Sequence, residues 1–243
     1  MAKEIIQKAF DLNLPSLEEL DIPSCVKELI KVLSKADTEI YLIGGFVRDL
    51  ILGINSFDLD FIVLDKSTQK LCAELIEKLG GNYFLLDKET ETTRFVLNDE
   101  SSKHYTFDFT FVLNSNLDAD FKRRDFTINA LAIKLREPNL IIDKFSGIED
   151  LKKKKIKAIG FENFLDDPLR FIRAFRFACQ IGGEIEKETY AYMKNIFCGT
   201  GIVTSPLQDV SCERISCEIW KIFDNDNSFK YIKQMSDIGL LEK

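Results

Sequence analysis

Histidine is almost missing from this chain: among 243 residues only His104 carries an imidazole. Its six cysteines, Cys25, Cys72, Cys179, Cys198, Cys212 and Cys217, are scattered and never form a Cys-x-x-Cys pair. A zinc site therefore lacks a ligand set, and the spacing is not that of a secreted disulfide framework. The expected state is reduced, mostly buried thiols. No run is long and apolar enough to cross a bilayer, and the N-terminus lacks the apolar centre of a signal peptide, so the expectation is a cytoplasmic protein with no membrane partner. Positive charge is in deficit, with 33 Lys and Arg against 40 Asp and Glu and a net charge of −7. That counts against bulk affinity for nucleic acid, but phosphate recognition needs only a locally basic surface. What is present, 45% hydrophobic and 30% charged residues, is ordinary for a globular protein of one large or two modest domains.

The most informative stretch runs from Ile40 to Leu64. Its second half, Phe57-Asp58-Leu59-Asp60-Phe61-Ile62-Val63-Leu64, is bulky enough for a buried strand yet carries two carboxylates two residues apart. Positions i and i+2 of a strand project from one face, so Asp58 and Asp60 stand side by side while Leu59, Phe61 and Val63 face the core. Adjacent like charges in apolar surroundings call for a compensating cation. Mg²⁺ held by one or two carboxylates while it awaits a substrate phosphate meets that demand. An edge strand with a solvated polar face is the alternative. The first half, Ile40-Tyr41-Leu42-Ile43-Gly44-Gly45-Phe46-Val47-Arg48-Asp49, reads as a strand that turns at Gly44-Gly45 into a helix. Such a turn leaves backbone amides at a helix N-terminus, where phosphate binds, and Arg48 lies one turn further on with a fork suited to phosphate oxygens. Together the two halves resemble the head of class II tRNA nucleotidyltransferases and bacterial poly(A) polymerases, members of the polymerase β superfamily.

Along the rest of the chain, Ser24 to Leu33 and Thr68 to Leu79 read as helices, the latter ended by Gly80-Gly81. Tyr83 to Leu86, Arg94 to Leu97 and Tyr105 to Val112 read as strands around a turn at residues 87–91. Asp108, between Phe107 and Phe109, is either a third carboxylate for the metal or a solvent-facing residue of an alternating strand. The run Arg123-Arg124-Asp125-Phe126-Thr127-Ile128-Asn129-Ala130-Leu131-Ala132 reads as a basic cluster entering a helix of small residues. It is similar, residue for residue, to the second motif of the same family. The resemblance implies that Arg124 contacts the nucleotide's phosphates and that Asp125 and Asn129 help hold the sugar. Asp143, Gly147 and Asp150-Leu151 resemble the short third motif, a hinge. Lys152 to Lys155 reads first as a solvated turn, with a phosphate-facing patch as the second option.

In Asp166-Asp167-Pro168-Leu169-Arg170-Phe171-Ile172-Arg173-Ala174-Phe175-Arg176, Asp167 suits an N-cap and Pro168 a first helical position. Arg170, Arg173 and Arg176 then form a drifting stripe opposite Phe171, Ile172, Phe175 and Ala178. The stripe is either a solvated face or, by its similarity to the family's fourth motif, a base reader. Cytosine and adenine each present an amino donor beside a ring-nitrogen acceptor. A carboxylate at Asp167 would accept from the first and Arg170 would donate to the second, admitting CTP and ATP and rejecting UTP and GTP. Arg173 and Arg176 would extend toward the triphosphate. The family usually has Glu-Asp where this chain has Asp166-Asp167. Ser211 to Ile215 resembles the fifth motif, with packing as its expected role.

The resemblance implies an α+β fold: a head (palm) sheet flanked by helices over 37–150, after an N-terminal helical segment over 1–36 and before an all-helical neck over 151–243. It implies a template-independent, Mg²⁺-dependent nucleotidyltransferase adding C and/or A to the 3′ end of tRNA, with Asp58 and Asp60 holding two metal ions and with Gly44, Gly45, Arg48, Arg124, Asp167, Arg170, Arg173 and Arg176 binding the nucleotide. Many CCA-adding relatives carry a longer flexible loop where this chain has a short connection from Asp108 to Lys122, which points to a CC-adding or otherwise partial enzyme. A poly(A) polymerase shares every motif, and a noncatalytic nucleotide- or RNA-binding fragment is the alternative of another class. Relatives normally continue into further helical domains, so the expectation is a fragment or an unusually short protein.

Overall fold

The computed structural model describes residues 6–8, 19–99, 102–113, 116–198 and 206–241. By its internal contacts the chain divides into two units, residues 1–121 with 129–144, and residues 122–128 with 145–243.

Among the described residues the first unit has eight strands: β1 (Ile6–Lys8), β2 (Ile40–Ile43), β3 (Leu59–Leu64), β4 (Asn82–Asp87), β5 (Thr92–Asn98), β6 (His104–Val112), β7 (Leu131–Lys134) and β8 (Leu140–Asp143). They form one sheet in the order β1-β8-β7-β2-β3-β6-β5-β4. Every neighbouring pair is antiparallel except β3 and β6, which run parallel. The central strands are apolar because both of their faces are covered. All four residues of β2 are buried, and Phe61 stacks on Phe109 across β3 and β6 with ring centroids 5.0 Å apart. Helix α1 (Ser24–Leu33) buries Val26, Leu29, Ile30 and Leu33, the i, i+3, i+4, i+7 stripe of an amphipathic helix. Helix α3 (Thr68–Leu79) buries Leu71, Cys72 and Leu75 in the same way and stops at Gly80, whose φ of +71° is a glycine conformation. The seven-residue α2 (Gly45–Ile51) and six-residue α4 (Leu117–Lys122) complete the described helices of this unit.

Two sequence expectations are corrected here. Residues 6–8, placed in a helical segment, pair antiparallel with β8 as a strand. The small-residue run after Asp125 is not a helix. A 3₁₀ turn over Thr127–Asn129 leads straight into β7, which is held between β2 and β8. Leu131, Ala132 and Ile133 are buried on both faces, so backbone pairing and burial override the helical preference of alanine.

The second unit comprises α5 (Gly147–Lys152), α6 (Asn163–Asp166), α7 (Arg170–Gln180), α8 (Lys187–Cys198), α9 (Cys212–Phe223) and α10 (Ser228–Asp237). It is not wholly helical, since β9 (Lys155–Ile156) pairs in parallel with β10 (Glu184–Ile185). Gly183, just before β10, approaches the Lys154 carbonyl so closely that a Cβ would sit 2.0 Å from that oxygen, and only glycine fits. Residues 125–127 run beside 157–159, bridging Phe126 to Ala158. The core is aromatic, with Phe126 edge-on to Phe164 and Phe177, and Phe164 against Phe171. All six cysteines are free, but Cys198, Cys212 and Cys217 are exposed, which corrects the expectation of mostly buried thiols. No described helix is long and apolar enough to cross a membrane.

Candidate active site

In the first unit the sheet register gathers the acidic residues. Ile43 at the end of β2 pairs with Asp60 of β3, so the Gly44-Gly45 turn leaves the sheet beside the end of β3 that Asp58 enters. Asp60 pairs in turn with Asp108 of β6, and Asp108 with Arg94 of β5. Registered neighbours project from the same face, so Asp60, Asp108 and Arg94 form a row across three strands. Leu59 and Phe61 are fully buried on the opposite face, while Asp60 is half-buried and Asp58, just ahead of the strand, is exposed. Alternation therefore sorts the two carboxylates from the core residues between them. Arg94 grips Asp108 with a two-pronged fork, Nε to Oδ1 and Nη2 to Oδ2, each at 2.7 Å. Its pKa is held above the ordinary arginine value first by that hydrogen bonding to Asp108, and further by the charges of Asp108, Asp58 and Asp60.

Hard oxygen donors placed in this way fit Mg²⁺, which commonly takes one or two carboxylates and leaves its other positions to water and substrate phosphate. Among the described residues no group of three His, Cys, Asp or Glu side chains is arranged to hold a metal ion on its own.

Beside the carboxylates, Gly44 takes φ +74° and ψ −132°, a conformation that a Cβ would strain. Its amide donates to Leu131 O at 3.0 Å, which ties the turn to β7. Arg48 is buried with its guanidinium folded back over Gly45: a Cβ there would lie 3.6 Å from Nη2. Arg48 donates to Asn129 Oδ1 at 2.7 Å and to Asp49 Oδ1 at 2.8 Å. The first and second motifs are thus joined through Arg48 and Asn129 within one unit.

In the second unit Asp125 is nearly inaccessible, and its two oxygens do different work. Oδ1 accepts from the Phe126 amide at 2.8 Å, and Oδ2 accepts from Arg173 Nε at 2.8 Å. Arg124, half-buried, accepts at its carbonyl oxygen from Asn163 Nδ2 at 2.8 Å. Burial, the largest single influence, lowers the Arg173 pKa, but the charge and hydrogen bond of Asp125 together with the charges of Glu218 and Asp167 outweigh it and the net shift is upward. Asp167 is not the N-cap of α7 as expected: Leu169 holds that position, with no side-chain cap. The helix begins at Arg170 rather than Pro168, with Pro168 and Leu169 forming an opening turn in which Asp167 O accepts from Arg170 N at 3.0 Å. The Asp167 carboxylate accepts from Arg214 Nη2 at 3.1 Å on both oxygens. Arg170 is pulled below the ordinary arginine pKa by burial, an effect opposed by Asp125 and Asp167. Its guanidinium donates to Asn163 O at 3.0 Å, one bond from a group with five donors.

Arg176 departs most from the expected stripe. Each three-residue step rotates a helical position by about 60° backwards, so by Arg176 the row has drifted about 120° from Arg170. Arg176 is buried, with Nε 2.5 Å from Glu218 Oε2 and its guanidinium carbon 3.8 Å from the Phe177 ring centroid. Glu218, 5% exposed, also lies 3.9 Å from Arg173 and 3.7 Å from Lys221. Glu218→Gln should therefore cost about 3–5 kcal/mol of folding stability, because Arg176 is left charged and buried. Urea unfolding checks this, and a loss below about 1 kcal/mol would show that the pair is not held as a buried charge pair.

Sequence reading missed Arg94, Arg214 and Glu218. Arg214 lies in a motif whose expected role is packing, and its acidic partner is 47 residues away. A groove of about 900 Å³ along α1, lined by Lys27, Lys31, Leu135 and Pro138 among others, contains none of the residues above.

The sequence matches the poly A polymerase head domain over residues 40–157. It is 32% identical over 231 residues to the CC-adding tRNA nucleotidyltransferase of Geobacter sulfurreducens, covering 95% of this chain and 50% of that protein. The chain belongs to the class II tRNA nucleotidyltransferase and poly(A) polymerase family. Another member, the CCA-adding enzyme of Streptococcus uberis, is 35% identical over 222 residues, 87% of this chain and 51% of that protein. Among solved members, the Thermotoga maritima CCA-adding enzyme complexed with tRNA-CCA superposes with a TM-score of 0.81 at 30% identity, over 97% of this chain and 55% of that one. The family's α+β fold, a nucleotidyltransferase sheet with a helical neck, is the fold seen here. The chain spans about half the length of the curated relatives it matches.

Proposed function

We propose that this chain catalyses template-independent transfer of CMP and/or AMP from CTP and ATP to the 3′ end of tRNA, releasing pyrophosphate. The observation that carries this reading is the register that sets the Gly44-Gly45 turn beside Asp58 and Asp60. It pairs a phosphate-binding turn with hard anionic ligands. The names of the relatives, CC-adding and CCA-adding, agree with it. Asp58 and Asp60 would hold Mg²⁺, which when bound would neutralise phosphate charge and make the RNA hydroxyl more acidic. The RNA 3′-hydroxyl gives up its proton to solvent as its oxygen bonds to the α-phosphorus, the bond from that phosphorus to the oxygen bridging the β-phosphate breaks in line, and pyrophosphate leaves with that oxygen. Such a transfer rests on positioning and charge rather than on a covalent nucleophile.

The first unit is assigned the metal and phosphate chemistry. Gly44 and Gly45 present backbone amides, and Arg48, oriented by Asn129 and Asp49, presents its guanidinium edge. The second unit is assigned base selection. Asp167, aligned by Arg214, accepts from the amino group of C or A, and Arg170, with donors to spare, supplies the ring nitrogen. Arg124 is assigned to the phosphates, and Arg173 is anchored on Asp125. Arg176, whose charge is met by Glu218, serves by fixing the helix that carries Arg170. A cytoplasmic location goes with tRNA maturation from the common nucleotide pool.

Poly(A) synthesis is the second reading, favoured by the match to the poly A polymerase head domain. The test is incorporation of each labelled nucleotide, with Mg²⁺, into tRNA ending at the discriminator base, after C, or after CC, and into an oligo(A) primer. Addition of C, or of C and A, to tRNA is expected. Addition of A alone to oligo(A) identifies a poly(A) polymerase, and no addition to any primer identifies a noncatalytic binding module.

A further inference from the structure

Asp108 stands next to Asp60 in the sheet, about 4.8 Å away strand to strand, within range of a cation held on Asp60. A third carboxylate at that distance would ordinarily join the ligand set, and hard cations accept such oxygens readily. Here both of its oxygens are taken by Arg94, at 2.7 Å each. The fork is planar and bidentate, so it fixes the carboxylate's orientation as well as its charge. Arg94 also senses Asp58 and Asp60 electrostatically, which puts all four groups in one neighbourhood.

We propose that Arg94 is a positioning residue that withholds Asp108 from the cation, so that Asp58 and Asp60 are its protein carboxylate ligands and the nucleotide's phosphates complete the shell. The proposal rests on the metal assignment made above. Its consequence is that the free protein binds a divalent cation weakly and gains affinity when a triphosphate arrives. With one net charge offset by Arg94, the site avoids holding three bare carboxylates together in the absence of substrate.

The test uses the full chain without nucleotide and titrates Mn²⁺, with the free ion read by electron paramagnetic resonance. Arg94→Lys keeps the positive charge but loses the fork, and Arg94→Gln loses both. Each should bind Mn²⁺ about tenfold more tightly than the parent, the scale typical of changes to groups that orient metal ligands. Adding Asp108→Asn to either variant should return the affinity to the parental value, while Asp108→Asn alone should leave it within about twofold. Weaker Mn²⁺ binding by Asp108→Asn alone would overturn the proposal, since Asp108 would then already be a ligand. Tightening in Arg94→Gln without tightening in Arg94→Lys would overturn it too, because charge alone would explain the effect. Circular dichroism and thermal unfolding establish that the variants are folded, and Arg94→Lys carries the test if Arg94→Gln does not fold. The metal assignment itself is read separately through Asp60→Asn. If that change leaves parental Mn²⁺ binding intact, the cation sits elsewhere and the parent reading fails rather than the role of Arg94.

Discussion

Asp60→Asn is expected to lower nucleotide incorporation by about 10³-fold for every accepted nucleotide while leaving the protein folded. The substitution keeps the shape of the side chain and removes only its charge. Asp60 is half-buried at the end of a strand whose neighbours on the other face, Leu59 and Phe61, are fully buried and untouched by the change. Its backbone pairing to Ile43 and Asp108 does not depend on the carboxylate. A neutral amide is a poor ligand for Mg²⁺, and a loss of several kcal/mol of charge stabilisation in the transition state corresponds to roughly three powers of ten. Both kcat and kcat/KM should fall together, because the interaction is made with the reacting phosphate rather than with the base. Single-turnover incorporation of CMP, with thermal unfolding measured in parallel, decides the matter. Retention of more than about a tenth of parental activity in a folded variant would remove Asp60 from the metal site and with it the proposed mechanism.

The sequence was most legible where local pattern and tertiary role agree. Helix α3 could be placed to the residue because its apolar stripe is regular and Gly80 ends it at a positive φ. Strand β3 could be read because its bulky apolar run, buried on both faces from Phe61 to Leu64, is interrupted only by Asp60, with Asp58 two residues before it on the same face. The strand β7 was misread because a short apolar run carries no period that separates a buried strand from a helix, and its alanines favour the wrong answer. The sheet partners β2 and β8, which decide the matter, are distant in sequence. Strand β1 has only three residues, and its pairing with β8 spans most of the first unit.

For the candidate site the division is similar. Asp58, Asp60, Gly44 and Arg48 stand close together in the chain, and their chemistry follows from their spacing. Arg94, Arg214 and Glu218 take their meaning from residues on other elements, through register in the first case and through helix packing in the others. Arg176 shows how a sequence stripe can mislead. A repeat of three drifts around a helix, so arginines that look equivalent in one dimension finish on different faces.

Asp167→Ala should act on selectivity where Asp60→Asn acts on rate. If the Asp167 carboxylate accepts from the amino group of cytosine or adenine, its removal deprives CTP and ATP of a charge-assisted hydrogen bond, and kcat/KM for each should fall about 10²-fold. UTP and GTP, which offer a carbonyl at that position, have no such bond to lose. Their low rates should stay where they are or rise slightly as a repulsive carboxylate disappears. The preference for C and A over U and G should therefore contract by about the same 10²-fold factor.

Arg214→Gln provides the graded version of the same test. Arg214 holds both Asp167 oxygens at 3.1 Å, yet its side chain is 54% exposed, so its loss should affect stability little. What it should change is the orientation of the carboxylate, which gives a smaller loss of selectivity than Asp167→Ala in a protein of unchanged unfolding midpoint. Steady-state kinetics with all four nucleotides on one primer separate the cases. A uniform fall across the four would assign Asp167 to the architecture around α7, where its carboxylate accepts from the Leu169 amide at 3.4 Å in the turn that opens the helix, and would leave base choice to other residues. A fall confined to CTP and ATP cannot come from a loosened helix, because a loosened helix would penalise every nucleotide that depends on Arg170.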